Sequence, residues 1–328
     1  MFTCPPILPY FTPLPALSLQ GEANLGIPAW LAAVEADLDK ALASGTPIRQ
    51  VVMGRCCAID SMMEALFELY ELDQTDLTLF ATGGYGRGEL HPFSDVDLLL
   101  LSPNPIDEAL NQKISPFVAK LWDIGIDPAL VVRSVEECDK ACHDDITVAT
   151  SLLEARILAG NVAQAGLPMQ LLNKNWSQTK FYEAKMAEAK ERYLKHNSTE
   201  YNLEPDLKNA PGGLRDIHTV GWISKRYFRV TNLFGLVQQE FITEKEFDEL
   251  QQAEDFLWLI RHHLHKIAKR NENRVLFDYQ RLIAERIGYR DNSHPNAAVE
   301  HFMRDYYRYA MSNSTLSEML TQHYYETL

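Results

Sequence analysis

The sequence lacks most of what would place a chain in a membrane or on nucleic acid. No apolar run approaches the roughly 18 residues that a membrane helix needs. Val96 to Leu101, among the longest, contains Asp97. The amino terminus, Met1-Phe2-Thr3-Cys4-Pro5-Pro6, has no basic region and puts prolines where a signal helix would form. Basic charge is in deficit: 31 Lys+Arg stand against 45 Asp+Glu, a formal charge of −14 over 328 residues. A surplus of carboxylates repels a phosphate backbone, which argues against a general nucleic-acid binder. Cysteine is scarce and odd in number, five in all, with Cys56 and Cys57 adjacent. That makes a poor disulfide framework and fits a reducing compartment. Cys138, Cys142 and His143 share a helical spacing, but no further ligand pair accompanies them, so they read as free thiols on a half-buried helix. The expectation is a cytoplasmic, soluble protein of about two domains.

What is present divides along the chain. Residues 1–20 are proline-rich and read as an extended arm. Residues 21–145 read as a small domain of strands with leading helices, and residues 146–328 as a helical domain. Leu31, Val34, Leu38 and Leu42, then Met62, Leu66 and Leu69, recur at helical spacing. Strands are expected at Leu77–Thr82, Asp95–Leu101 and Ala129–Arg133, with a helix at Ile114–Trp122. After about Asp145 the strands are expected to stop: Thr147–Ala159, Glu183–Lys195 and Ala297–Leu320 all read as helical. Thr243 and Glu246 form a capping box ahead of Phe247, Leu250, Leu257, Ile260, Leu264 and Ile267, which run down one face. The fold class is α+β, a small mixed-sheet domain followed by an all-helical one.

The chemistry concentrates between Gly83 and Asp97. Residues alternate faces on a strand, so Asp95 and Asp97 project to the same side, roughly 7 Å apart along it. Two carboxylates that close resist joint ionisation unless a cation sits between them. Hard oxygen ligands suit Mg2+, which completes its shell with phosphate oxygens and water. Upstream, a strand ends in Gly83-Gly84 before an expected helix, where bare backbone amides and the helix dipole favour a phosphate. Arg87 would add a cation in that first turn, and Ser94 is a further candidate nucleotide contact. No Lys-Ser/Thr pair follows the glycines, so this is not a P-loop, and the spacing of a dinucleotide fingerprint fails. The bland reading is a turn and a solvated strand edge. Charged residues opening an otherwise buried strand are expensive without a purpose, which favours a metal–triphosphate site.

In the helical part, Pro211-Gly212-Gly213-Leu214-Arg215-Asp216 forms a turn ahead of a helix carrying Ile217, Val220 and Ile223. Lys208 and Arg215 flank this turn and either face a nucleotide or belong to a structural turn with a surface ion pair. His262, His263 and His265 fall on different helix faces and read as core or surface histidines rather than a metal cluster.

Gly83-Gly-Tyr-Gly-Arg-Gly-Glu-Leu-His-Pro-Phe-Ser-Asp-Val-Asp-Leu-Leu99 resembles the signature of the nucleotidyltransferase superfamily that includes DNA polymerase β. It resembles more closely the amino-terminal domain of bacterial protein-PII uridylyltransferases. The stretches Asp144–Arg156, Leu203–Ile217, Phe256–His265 and Leu276–Gln280 are similar to that family too. The resemblance implies transfer of UMP from UTP to a tyrosine of the nitrogen regulatory protein PII, with Gly83 and Gly84 on the nucleotide phosphates and Asp95 and Asp97 as metal ligands. It also implies a separate HD-type phosphohydrolase domain and two glutamine-sensing ACT domains. The sequence ends at Leu328, where the HD domain would only be approaching. The expected protein is a short form that neither removes UMP nor responds to glutamine. A third carboxylate is usual on a neighbouring strand. Here Ala129–Arg133 holds none. Asp127, with the parity of Ala129 and Val131, is either a catalytic residue beside Asp95 and Asp97, as base or third metal ligand, or a loop residue before Pro128. The alternatives are transfer of another nucleotide or to another acceptor, or a nucleotide-binding regulatory module with weak turnover.

Overall fold

Leu98-Leu-Leu-Leu101 is buried throughout and lies in an inner strand of the sheet, paired on both edges. The computed structural model describes Leu14 and residues 26–195, 202–230, 232–291, 293–294 and 296–327. Apart from Leu14, the proline-rich arm expected at residues 1–20 lies outside the described residues. The chain separates into two compact units, Met1–Trp176 and Ser177–Leu328.

The first unit opens with two helices, α1 (Gly26–Ala43) and α2 (Ile48–Leu69). Then come β1 (Thr78–Ala81), the single turn α3 (Gly83–Gly86), β2 (Val96–Ser102), α4 (Glu108–Asp123) and β3 (Pro128–Ser134). It continues through α5 (Val135–Asp144), α6 (Ile146–Leu153), β4 (Arg156–Gly160) and α7 (Leu167–Asn175). The sheet order is β3-β2-β1-β4. β1 runs antiparallel to both β2 and β4, whereas β2 and β3 are parallel, so the sheet is mixed as expected. The parallel pair requires a crossover, and α4 provides it. Asp107 caps α4 by accepting from the Leu110 amide at 2.8 Å, and Phe117 meets Phe67 of α2 edge-on, centroids 6.3 Å apart.

β4 corrects the expectation that strands stop after Asp145. The helix expected over Thr147–Ala159 ends at Leu153, and Arg156–Gly160 pairs with β1 instead. Five residues are too few to show a period of two against the helical spacing before them. Gly160 closes the strand with φ +96°, and a Cβ there would lie 3.0 Å from the Thr78 Cα and closer still to the Leu77 carbonyl oxygen. β4 and α7, beyond the boundary expected at residue 145, both fall in the first unit.

Helices make up the second unit: α8 (Gln178–Lys195), α9 (Leu214–Phe228), α10 (Phe234–Gln238), α11 (Glu244–Ala268), α12 (Phe277–Ile287) and α13 (Ala297–Thr327). The capping box read from Thr243 and Glu246 is present, with the Thr243 amide donating to Glu246 at 2.8 Å. Tyr182, Val220, Ile223, Leu250, Leu320 and Tyr324 form a buried cluster among α8, α9, α11 and α13. No helix among the described residues is long and apolar enough to cross a membrane.

Candidate active site

β1 delivers the chain to Thr82, whose amide donates to the Asp97 carbonyl at 3.0 Å, so the turn that follows starts hydrogen-bonded to β2. Gly83 has φ +53°, a region that L side chains rarely adopt. A Cβ on it would stand 3.0 Å from the Asp97 carboxyl carbon and closer still to Oδ2. The space a side chain would fill at Gly83 is therefore held by the Asp97 carboxylate. The helix expected after the glycines is α3, a single turn, closed by Gly86 N–H to Thr82 at 2.7 Å and Glu89 N–H to Gly84 at 2.8 Å. Its first amides, on Gly83, Gly84 and Tyr85, have no earlier turn to donate into. One turn carries little dipole, so what it offers a phosphate is mainly amides on a side-chain-free surface.

Asp97 lies on β2 half-buried, and Asp95, one residue before the strand, is exposed. The parallel register sets Val96 beside Pro128 and Asp97 beside Ala129, and the Val96 amide donates to the Asp127 carbonyl at 3.0 Å. Continued by one pair, that register puts Asp127 next to Asp95, at the end of the ladder and with an exposed side chain. Three carboxylates thus gather at one end of β2 and β3, although β3 itself holds none. Ser94 Oγ is buried and has no hydrogen-bond partner among the described residues. Phe93 before it takes φ +57° and is 53% exposed. Buried donors are rarely left unmatched, so the hydroxyl is suited to an acceptor brought by a ligand. An all-oxygen donor set of carboxylates, a buried hydroxyl awaiting an acceptor and a glycine cradle fit Mg2+ with a polyphosphate.

Sequence reasoning missed what holds the turn in place. Arg87, expected as a phosphate contact, has its guanidinium bound by Glu154 and by Glu89 at 2.8 Å. Burial alone would lower its pKa, but the two carboxylates overturn that and hold it above its ordinary value. Arg156 of β4 donates to both oxygens of Asp60 on α2, at 2.8 and 3.0 Å, and to the Tyr85 carbonyl at 3.3 Å. Burial, then the neighbouring Asp60, pushes the Tyr85 hydroxyl well above its ordinary range. Arg55, also buried, donates to the Leu90 carbonyl at 2.9 Å and to Glu35, tying the following loop to α1. The one sequence signal was the pair of opposite charges at Glu154 and Arg156, read there as part of a helix.

In the second unit, Lys208 and Arg215 come together: the Arg215 amide donates to the Lys208 carbonyl at 2.8 Å, and both side chains are half-buried. The Arg215 guanidinium lies 5.2 Å from the Trp222 ring centroid. Asp216 is 2% exposed and accepts from the Gly212 amide and from Arg192, each at 2.7 Å. Burial raises its pKa, against the pull of Arg192. Gly212 has φ +76°, and a Cβ there would sit 2.9 Å from the Ala310 Cα and closer to its carbonyl oxygen. Asn313 of α13 donates to the Gly212 and Gly213 carbonyls at 2.8 and 3.1 Å. His262 and His265 are both buried in α11 and His263 is half-buried, so the separate faces expected for the three apply to His263 alone. Cys138 and Cys142 are buried free thiols, as expected.

Comparison with known proteins gives the arrangement a family. The profile of the GlnD PII-uridylyltransferase family matches residues 180–321, and that of the nucleotidyltransferase domain matches residues 62–151. A bifunctional uridylyltransferase/uridylyl-removing enzyme of Psychrobacter sp. (strain PRwf-1) is 60% identical over all of this chain and 37% of its own length. Its counterpart in Psychrobacter arcticus is 56% identical over all of this chain and 38% of its own length. One from Acinetobacter baumannii (strain ATCC 17978) is 48% identical over 91% of this chain and 34% of its own. The chain therefore spans little more than a third of the length of these relatives.

Proposed function

We propose, for a chain that belongs to the PII-uridylyltransferase family and contains its nucleotidyltransferase domain, that the site at Gly83–Asp97 transfers UMP from UTP to a tyrosine of PII. The observation that carries this reading is the Asp97 carboxylate lying in the cradle of Gly83, which sets a metal ligand against a phosphate-binding turn. Asp95 and Asp97 would hold Mg2+, which when bound would neutralise phosphate charge and align the α-phosphorus. The amides of Gly83 and Gly84 would donate to phosphate oxygens, and Ser94 Oγ would donate to another. Lys208 and Arg215, adjacent within the second unit, are kept as proposed nucleotide-binding cations. The tyrosine oxygen bonds to the α-phosphorus as the bond to the bridging oxygen of the β-phosphate breaks, and pyrophosphate leaves. Asp127 is the proposed acceptor of the hydroxyl proton, a demand set by a reference pKa near 10. Preference for uracil rests on the family, since no residue at the turn reads a base. A cytoplasmic setting and PII as partner belong to the same reading.

One observation favours a second reading. β3 places Ala129, not a carboxylate, beside Asp97, which suits a module that holds nucleotide and turns it over weakly. Incubation with α-labelled UTP, Mg2+ and PII separates the two. Label on a PII tyrosine is the expected result. Retention of nucleotide without label transfer supports the binding module, and transfer from ATP alone would redirect the substrate.

A further inference from the structure

The phosphate-binding turn is not held by its own sequence. Its three glycines at positions 83, 84 and 86 resist a single backbone conformation, because glycine loses more freedom on ordering than any other residue. α3 is one turn long and cannot propagate helix on its own, since nucleation is the unfavourable step. Yet the turn must present its amides in one orientation if it is to bind a phosphate without reorganising. Something outside it must supply the order.

Residues 154–156 lie directly beneath it. A Cβ on Gly86 would come within 2.9 Å of the Ala81 carbonyl oxygen and nearer still to that of Glu154, so the turn and this segment meet backbone to backbone at Gly86. Arg156 then grips it from the side. Its guanidinium pairs bidentately with Asp60, donates to the Tyr85 carbonyl within the turn, and lies 5.5 Å from the centroid of the Tyr85 ring. Tyr85 is fully buried. One side chain thus links α2, β4 and the middle of the glycine turn. Only a guanidinium has the planar fork to make all three contacts at once.

We propose that Arg156, oriented by Asp60, is a positioning residue that fixes the Gly83–Gly86 turn in its phosphate-binding conformation. It touches no substrate and acts through the Tyr85 carbonyl and the amides beside it. The proposal rests on the reading of this turn as the phosphate site, but its structural half can be measured without nucleotide.

Hydrogen exchange on the full chain, without nucleotide, provides that measurement. In the wild type the amides of Gly86, Arg87 and Glu89, which close the turn, should be protected to a degree comparable with Leu99 and Leu100 of β2. Arg156→Lys keeps the charge and loses the fork. It should speed exchange of those turn amides at least tenfold and leave the β2 amides unchanged, and Asp60→Asn should do the same. With Mg2+ and UTP, Arg156→Lys should then raise Kd at least tenfold while changing kcat at saturating UTP less than threefold. Turn amides already unprotected in the wild type would overturn the proposal with no variant needed. So would unchanged turn exchange in both variants, or a rise shared equally by β2, which would mark a general structural role. If the wild type binds no UTP, the reading of the site fails, while the exchange data still decide whether Arg156 orders the turn.

Discussion

Two segments of this chain use nearly the same ingredients. Gly83-Gly84 and Gly212-Gly213 each open a helical turn, each places a glycine at positive φ, and each is accompanied by an arginine and an aspartate. They differ in what the aspartate does. Asp216 is sealed in, bonded to Gly212 and Arg192, and its turn is fastened to α13 by Asn313. Asp97 is half-buried against Gly83, with Asp95 exposed beside it and a buried hydroxyl at Ser94 that has no partner among the described residues. In the first segment the arginines serve as scaffold, Asp97 fills the Gly83 cradle, and the carboxylates of Asp95 and Asp127 are exposed. In the second, the carboxylate is itself scaffold. Where the charge ends up separates a site from a brace more sharply than the residue types do.

The contrast is broken most directly by removing the aspartates in turn. Asp95→Asn together with Asp97→Asn should lower UMP transfer by at least about a thousandfold, since metal-held charge stabilisation contributes several kcal/mol. Without nucleotide, the double variant should stay folded and lose less stability than Asp216→Ala does. Steady-state rates and denaturant titration read the two halves. Asp216→Ala should behave in the opposite way. It strands Arg192, whose side chain is 11% exposed, and should destabilise the chain by about 3–5 kcal/mol in the same titration.

Asp127 tests how far the outward-facing group extends. Asp127→Asn should reduce turnover by about 10²- to 10⁴-fold with little change in UTP binding if it accepts the tyrosine proton. A change below about threefold would return it to the role of a turn residue before Pro128. The smallest effect belongs far from both turns. Thr243→Ala removes one side of the α11 capping box and should cost about 1 kcal/mol of stability, with UTP binding untouched.

Much of this was legible in the sequence, and what escaped has physical reasons. The strand pattern, the Gly-Gly turn and the paired aspartates are local, because alternation and glycine placement express themselves over a few residues. The capping box at Thr243 is local too, and it is present. β4 was lost because its five residues follow a helix without a break in hydrophobic spacing. The brace around Tyr85 was invisible because Asp60 and Arg156 are 96 positions apart, and nothing in either neighbourhood names the other. The carboxylate partner of Arg87 escaped for the same reason: Glu154 lies 67 positions on.

On the proposed reading, Asp95, Asp97 and the Gly83 turn form one Mg2+–UTP site. Calorimetric titration of UTP into the full chain, with and without Mg2+, tests it most directly in the wild type and in the Asp95→Asn plus Asp97→Asn variant. The expected result is saturable binding in the wild type that requires Mg2+ and vanishes in the double variant. Equal binding in both proteins, or wild-type affinity indifferent to Mg2+, would contradict it.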